Sequence, residues 1–504
     1  MLKYIYSVLM SLLIPSVLSA GITDASDYLE KNVTVKKLKN GITLIMLNRG
    51  VSPTLAFEIS FRVGSADESY NTIGAAHLLE HMLFKGTEKT GTRDFKKEKV
   101  IMDKIEILGE KIDRLRLSNP SNPNIAKLQK ELTKLQEAQN EFIVPSPYDR
   151  IYASNGGVGF NASTSKDETG YYIELPASKI ELWAKIESER LKGPVLREFY
   201  IERNNVVEER LMRYDSSGTG VLFEQFLAQA FSAHPYRHPT IGWASNIPNL
   251  SIKDIRKFFN DYYIPERMTI TIVGRQNTNE TLKIMNKYFG DIPKKQNPSE
   301  IPVVEPVQNG ERRFTVFHES NPLIMMGWHK PAFPAKDDYV FDILSDIISS
   351  GKSSPLYKSL VIDKKAFTSI SSWNGMPGVR YNNMFMIYGS PRPHISAAEA
   401  EKMIYDEMDK IINNLNNDDL AKIRIKIESE TVFSLDTNKG IARMLSYYQT
   451  IFHDWKYLLS FIKAANEITV DDIKKVSAKY MTEKNRVVGI LADSRKEVKS
   501  DSKK

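Results

Sequence analysis

The sequence predicts an α+β fold built from two homologous halves, each an α/β sandwich, with a helical hairpin inserted into the first half. Strand-like and helix-like patterns alternate along 504 residues, a length that suits two or more domains. Residues 251–262 align with residues 469–480, and each segment is followed by an apolar strand pattern. Residues 77–86 align in the same way with residues 342–351. Such internal similarity indicates a duplicated unit.

The two alignments differ in offset, and the difference locates an insertion. One pair of segments is 218 positions apart and the other 265, a difference of 47. This matches the length of residues 94–142, where apolar residues recur at helical spacing on both sides of a Ser-Asn-Pro-Ser-Asn-Pro break. We interpret the segment as a charged helical hairpin. It is either a solvated insertion that packs on itself or a coiled-coil contact for a partner.

Residues 1–20 have the layout of a secretory signal peptide, in which Lys3 precedes an apolar run and small residues follow it. A membrane anchor is the alternative, but the run is shorter than the ~20 residues needed to span a bilayer, and Pro15 interrupts it. We therefore expect an exported protein, periplasmic or secreted in a bacterium, with no stable membrane span after cleavage.

The remaining chain divides into a first half at 21–293, a linker at 294–307 and a second half at 308–504. The linker is rich in Lys, Pro, Gln and Asn and lacks hydrophobic periodicity. In the first half, Asn40-Gly41 predicts a hairpin turn. Further patterns predict strands and helices in the order strand 54–63, two-stranded hairpin 160–175, and helices 178–192, 198–212 and 251–263.

Charge and cysteine content exclude several classes of site. The net charge is +7, but the basic residues are spread along the chain without a basic-aromatic module, so we expect no nucleic-acid partner. The chain contains no cysteine, so a transition metal would have to be held by His, Asp and Glu.

A histidine pair in residues 74–86 carries the strongest chemical signal. On a helix, His77, Glu80 and His81 share one face, while Leu78, Leu79, Met82 and Leu83 can bury the opposite side. Neutral imidazoles bind zinc, and the carboxylate is then free to act on the water that zinc activates. This is the H-x-x-E-H inverzincin pattern. The alternative is a helix that carries two histidines without a metal.

Two histidines do not complete a catalytic zinc site, which needs three protein ligands. The predicted helix 198–212 offers four candidates, Glu198, Glu202, Glu208 and Glu209. Glu202 and Glu209 are two turns apart on one face, whereas Glu208 points about 100° away from Glu209.

The second half has lost this pattern. The positions aligned with His77, Glu80 and His81 are Asp342, Ser345 and Asp346. We therefore expect one Zn²⁺ per chain, bound in the first half.

These motifs together resemble the pitrilysin/insulinase family of inverzincin zinc peptidases, which includes mitochondrial processing peptidase and bacterial two-domain members. The resemblance covers residues 33–493 and rests on four motifs. They are His-Leu-Leu-Glu-His at 77–81, Asn-Ala-Ser-Thr at 161–164, Glu-Arg-Asn-Asn-Val-Val-Glu-Glu at 202–209 and His-Pro-Tyr-Arg-His-Pro-Thr-Ile-Gly at 234–242. In the family, some eighty residues separate the second histidine from the glutamate ligand. Here the separation is 81 once the 47-residue insertion is removed.

The resemblance implies a processing-peptidase-like metallohydrolase fold, whose halves form a clamp with the linker as hinge. It implies that His77, His81 and Glu209 bind zinc and that Glu80 is the general base. Glu202 would orient a ligand histidine. The edge-strand residues that would hold a peptide by β-augmentation are Asn161, Ala162, Ser163 and Thr164.

One feature departs from the family pattern. Active relatives often bring an Arg and a Tyr from the second half over the substrate. The matching segment here has Val361 and Phe367 in those places, and Arg380 and Tyr381 are the alternative source.

The function predicted is that of an exported zinc metalloendopeptidase acting on peptides or unfolded polypeptides. Two other functions are compatible with the sequence. One is a non-catalytic partner or scaffold subunit of the same fold, and the other is a zinc-binding or zinc-buffering protein. The family also includes dimers, so a homo- or heterodimer with a homologous subunit is a further expectation.

Overall fold

The computed structural model describes residues 22–50 and 52–494. The predicted signal peptide, residues 1–20, lies outside the described residues. Within the described ranges, no helix is both long and apolar enough to cross a membrane.

Two separate β-sheets form the framework of the described chain, one from each half. The strands of the first sheet are β1 Thr34–Lys37, β2 Thr43–Asn48, β3 Thr54–Phe61, β4 Val158–Thr164, β5 Thr169–Pro176 and β6 Met268–Gly274. The strands of the second sheet are β7 Arg312–His318, β8 Leu323–Lys330, β9 Phe367–Met376, β10 Asn383–Pro391 and β11 Arg486–Asp493.

The strand orders show that the two sheets are copies of one plan. The first sheet runs β1-β2-β6-β3-β5-β4 and the second runs β7-β11-β8-β10-β9. In each sheet a single pair is parallel, β2 with β6 and β7 with β11, and the other pairs are antiparallel. β4 and β9 lie at equivalent sheet edges. The predicted duplicated α+β fold is therefore confirmed.

The helices flank these sheets. In chain order they are α1 Ile22–Asn32, α2 Ala75–Met82, α3 Phe95–Ser118, α4 Asn124–Asn140, α5 Pro147–Ser154, α6 Ile180–Lys192, α7 Phe199–Arg210, α8 Gly218–Ala230, α9 Ile252–Tyr262, α10 Thr278–Phe289, α11 Lys336–Ser349, α12 Pro355–Tyr357, α13 Ala397–Asn414, α14 Asn417–Ser434, α15 Asn438–Phe452, α16 Tyr457–Glu467 and α17 Val470–Tyr480. The long pair α3 and α4 is the predicted inserted hairpin.

Each sheet buries one face against helices of its own half. The first core joins the first sheet to helices such as α2, α6 and α9, and the second core joins the second sheet to helices such as α11, α13 and α17. These cores supply the apolar burial that stabilises each layer.

The other face of each sheet is covered by a helix from the opposite half. Ile441, Ala442 and Leu445 of α15 pack against strands β2, β3 and β6 of the first sheet. Leu222, Phe226 and Leu227 of α8 pack against strands β8, β10 and β11 of the second sheet. The two helices have similar N-caps, because the side chains of Ser217 and Thr437 each accept from the N–H of a glycine three residues on. The halves therefore exchange equivalent helices.

The predicted linker, residues 294–307, contains no helix or strand but is anchored to both halves. The Glu300 carboxylate contacts Arg62 of the first half and Arg380 of the second. Glu305 accepts hydrogen bonds from the backbone N–H groups of residues 232–234 at 2.7–3.0 Å. The segment thus differs from a free hinge, since two carboxylates fix its path.

Candidate metal centre

Helix α2 holds the histidine pair in a half-buried position. Gly74 precedes it with φ +100°, a conformation that favours glycine. The Glu68 carboxylate accepts hydrogen bonds from the N–H groups of Gly74 at 2.9 Å and Ala76 at 2.8 Å. It thereby satisfies N–H groups that have no partner within the helix. Leu78, Leu79 and Met82 are buried in the first core.

His77, His81 and Glu209 come together as one group. A ligand atom from each lies within 4.8 Å of the other two, and no other group of three or more such residues occurs in the described chain. Glu209 Oε2 is 3.7 Å from His77 Nε2 and 3.5 Å from His81 Nε2. Two imidazoles and one carboxylate are the donor set of a catalytic zinc site with an open position. The three residues therefore fit a zinc ion.

The two imidazoles differ electrostatically. Burial and the neighbouring His81 lower the pKa of His77 to about 4, although Glu209 opposes the shift. Burial also acts to lower the pKa of His81, but hydrogen bonds to Glu202 and Glu209 outweigh it and raise that pKa to about 9. A cation binding at His81 would therefore displace a proton, which makes binding pH-dependent.

Helix α7 presents Glu202 and Glu209 on the face that meets α2. Glu202 Oε2 lies 3.4 Å from His81 Nδ1, and its other oxygen is 2.6 Å from Lys85 Nζ. Burial acts to raise the pKa of Glu202, but His81 and Lys85 lower it overall, so the carboxylate is held ionised. Glu208 is exposed and lies outside the group. The contact of Glu202 with the far nitrogen of His81 is that of a residue that orients a ligand imidazole.

Glu80 lies beside the group without being part of it. Its carboxylate accepts a hydrogen bond from the Thr164 hydroxyl. Burial raises the pKa of Glu80, against the opposing effects of Thr164 and His81. A carboxyl group that lies next to a metal site and outside its ligand set is suited to proton transfer.

Strand β4, which contains residues 161–164, forms an edge of the first sheet. It pairs only with β5, so among the described strands its outer edge has no neighbour. Asn161 and Ser163 are exposed and Ala162 is buried, while Thr164 at the strand end reaches Glu80. An open edge that ends at the candidate base suits an added peptide strand.

A cavity of about 620 Å³ lies between the halves and includes His77 and Glu209 in its wall. The rest of the wall is largely apolar. It includes Phe223 and Leu227 of α8 and Met325, Trp373, Met376, Met386 and Tyr388 of the second sheet. Sequence reasoning missed Trp373 and Tyr388, because nothing in a strand pattern says which face of the second sheet lies opposite the histidines.

The departure from the family's Arg and Tyr concerns four residues, whose positions the structure gives. Arg380 is buried in ion pairs with Asp67 at 2.9 Å and Glu300 at 3.1 Å, and Tyr381 donates to Glu300. Val361 and Phe367 pack in the second core. None of the four lines the cavity. The ion pairs of Arg380 hold it at the junction of the halves, outside the wall of the cavity.

Two models of known families match separate parts of the chain. The family model described as Insulinase (Peptidase family M16) matches residues 45–101 and 148–243. The model described as Peptidase M16 inactive domain matches residues 249–427. The chain belongs to the pitrilysin/insulinase family, peptidase family M16. The unmatched stretch between 101 and 148 contains most of the α3–α4 hairpin, which marks the hairpin as an addition to the family fold.

Individual proteins resemble half or more of the chain. It is 26% identical to the zinc protease PqqE of Helicobacter pylori over 465 residues, which cover 90% of this chain and 91% of that protein. The crystal structure of a protease from Helicobacter pylori superposes with a TM-score of 0.76 at 25% identity, covering 91% and 99% of the two chains. A probable mitochondrial-processing peptidase subunit beta of Schizosaccharomyces pombe is 24% identical over 256 residues, covering 51% of this chain and 44% of that one.

Proposed function

We propose that this M16 protein is an exported zinc metalloendopeptidase that hydrolyses peptides or unfolded polypeptides. The observation that carries the proposal is the placement of Glu80. It lies beside the group formed by His77, His81 and Glu209. It also accepts a hydrogen bond from Thr164, at the end of an open edge strand. Zinc binding alone would not require that carboxylate.

The chemistry assigns a role to each residue. A zinc ion held by His77, His81 and Glu209 supplies Lewis acidity for the attack of water on a peptide carbonyl. Glu80 takes a proton from the attacking water and delivers it to the leaving amine. Glu202 keeps His81 in the orientation that presents Nε2 to the metal.

The substrate is an extended chain, since β4 offers backbone hydrogen-bonding groups at its open edge. The apolar wall beside the metal centre favours substrates with a large apolar side chain next to the cleaved bond. Three methionines in that wall can adapt to side chains of different shape. Folded proteins are poor substrates, because the cavity lies between the two halves.

A non-catalytic subunit is the second candidate, and the position of Arg380 favours it, since this arginine is unavailable to a substrate. In that role the chain would pair with a homologous subunit, and residues 161–164 would hold a peptide without cutting it.

The deciding experiment is a peptidase assay on a mixture of unstructured peptides, with zinc content measured in the same sample. We expect the peptides to be cleaved, a chelator to abolish the cleavage and added zinc to restore it. The Glu80→Gln variant is the inactive control. Zinc binding without cleavage by the unaltered chain would favour the scaffold role. Absence of zinc binding would contradict the proposed function.

A further inference from the structure

The α3–α4 hairpin is attached to the elements that carry the metal centre. At its base, the Glu98 carboxylate of α3 pairs with Arg197, with Nε 2.6 Å from Oε1. Gln139 of α4 donates to the same carboxylate at 3.0 Å. The side chains of Glu98 and Arg197 are 0% and 1% exposed, so this ion pair is fully removed from solvent.

Arg197 also reaches the end of the histidine helix. Its guanidinium donates to the carbonyl groups of Lys85 and Thr87, which follow α2. Arg197 itself lies two positions before the first residue of α7. One buried side chain therefore joins the base of the hairpin, the exit of α2 and the entry of α7.

A second attachment lies further along α3, directly on α7. Arg203 of α7 forms a two-pronged pair with Asp113 of α3, with N–O distances of 2.8 and 2.9 Å. Arg203 is adjacent to Glu202 in sequence and about 100° round the helix. Because the guanidinium is planar and the pair is bidentate, it restricts the orientation of α7 relative to α3 as well as the distance between them.

Close packing adds a third contact. The ring of Tyr200 lies against Gly109 of α3, where a Cβ atom would come within 2.0 Å of the ring. Tyr200 and Arg203 are both at least 96% buried, while the tip of the hairpin around residues 117–124 is largely exposed. The inner part of α3 is thus an integral layer of the first half.

Helix α7 has irregular ends, so support from a neighbour matters. Its N-cap, Glu198, has φ +59° and makes no capping hydrogen bond through its side chain. At the other end the chain continues into a wide π-helical turn at Leu211–Asp215. Glu209 lies in the last turn, and a metal ligand must be held to within about 0.5 Å.

We propose that the hairpin positions α7, and through it Glu202 and Glu209, against the histidines of α2, with Asp113 and Glu98 as positioning residues. The proposal rests on the proposed function only in taking zinc as the metal. Of the two earlier interpretations, an insertion that packs only on itself is wrong, since α3 also contacts α7, and the contact for a partner stays a prediction.

The test compares Asp113→Asn with Glu106→Gln in the full chain. Glu106 lies on the same helix, but its ion pair is with Arg256 of α9, at 3.0 Å, rather than with α7. Zinc affinity is measured by competition with a chelator, well below the unfolding temperature of either variant. We expect Asp113→Asn to bind zinc ~10-fold more weakly, as when a residue that supports a ligand is lost, and Glu106→Gln to bind as the unaltered chain does. Asp113→Glu, which keeps the charge, should recover most of the affinity.

Hydrogen exchange of backbone amides gives a readout that is independent of zinc. In metal-free protein, Asp113→Asn should reduce protection in residues 199–210 and leave 252–262 unchanged. If Asp113→Asn does not fold, Arg203→Lys replaces it, because lysine keeps the charge but cannot form the two-pronged pair. Unchanged zinc affinity together with unchanged protection of α7 would overturn the proposal. Failure of the unaltered chain to bind zinc would count against the proposed function instead, and the exchange comparison would still decide this inference.

Discussion

The Thr164 hydroxyl, at the end of edge strand β4, donates a hydrogen bond to the Glu80 carboxylate on helix α2. The proposed peptide-holding strand and the proposed base are therefore in direct contact. The hydrogen bond acts to lower the pKa of Glu80, but burial of that carboxyl raises it by more. A peptide added alongside β4 would pass close to the group that performs the proton transfer.

Replacing Glu80 by Gln should abolish hydrolysis and leave zinc bound. The amide cannot accept the proton, while His77, His81 and Glu209 remain in place. Peptidase assay and metal analysis of one preparation check this, and Glu131→Gln, the same substitution at an exposed position on α4, is the control. Loss of zinc in the Gln variant would mean that Glu80 is itself a ligand.

Three glutamates of α7 should respond differently to substitution by Gln. Glu209→Gln should weaken zinc binding most, because it removes an anionic ligand. Glu202→Gln should weaken it ~10–100-fold through the orientation of His81. Glu208→Gln should change it by no more than a few-fold, since Glu208 is exposed. Zinc titration of the purified variants measures all three affinities. If Glu208→Gln weakens binding most, the ligand is Glu208 rather than Glu209.

The full chain should contain one zinc ion, and the second half should contribute none. The position aligned with His81 is Asp346, whose carboxylate is 2.9 Å from the Lys426 ammonium. Asp342 accepts a hydrogen bond from Asn374 at 2.8 Å. Elemental analysis should show zinc lost in His77→Ala and retained in Asp342→Ala. The reverse result would contradict the assignment of the zinc site to the first half.

Removing the Arg380 side chain should destabilise the junction between the halves. Arg380→Met leaves the buried Asp67 carboxylate with Arg267, at 3.3 Å, as its remaining ion-pair partner among the described residues. Breaking a buried pair typically costs roughly 3–5 kcal/mol, and we expect the lower end because Arg267 remains. Denaturant unfolding measures the change. Lys402→Met, which removes an exposed pair with Asp406, should have little effect.

Glu58 should make stability fall as pH rises through the neutral range. Burial, aided by the nearby Glu168, raises the pKa of Glu58 from 4.5 to about 8. Between these values the folded carboxyl keeps a proton that the unfolded chain has released. Rising pH therefore favours unfolding by at most about 1.4 kcal/mol per pH unit.

The Glu58→Gln variant mimics the protonated form and should lose this pH dependence. Its advantage over the unaltered chain should grow from pH 4.5 to 8 and then level off. Unfolding free energies across that range measure it, with the exposed Glu131→Gln as the control. A constant difference at all pH values would contradict the raised pKa.

Local sequence signals predicted the elements well because their causes are local. The Asn40-Gly41 turn joins β1 and β2, the predicted helix 251–263 contains α9, and the spacing of His77 and His81 puts both on one helix face. The repeat offset located α3 and α4 for a similar reason, since a duplicated unit keeps its internal spacing. The pattern on α7 gave four candidate glutamates, and only the resemblance selected Glu209.

The features that escaped prediction depend on how distant segments face one another. Trp373 and Tyr388 line the cavity because α8 crosses the second sheet beside the metal centre. Arg380 is engaged because Asp67 and Glu300 converge on it from the first half and the linker. In both cases the contacting residues are far apart in the sequence, so no periodicity or motif predicts that they meet.

The exchanged helices have a consequence for synthesis on the ribosome. All six strands of the first sheet are made by residue 274, yet α15, which covers one of its faces, begins at residue 438. Until α15 has been made, the side chains of Ile45, Leu47 and Val273 remain uncovered. The nascent chain therefore carries an apolar surface that a holding chaperone would recognise. The first sheet is therefore covered on both faces only after most of the second half has been translated.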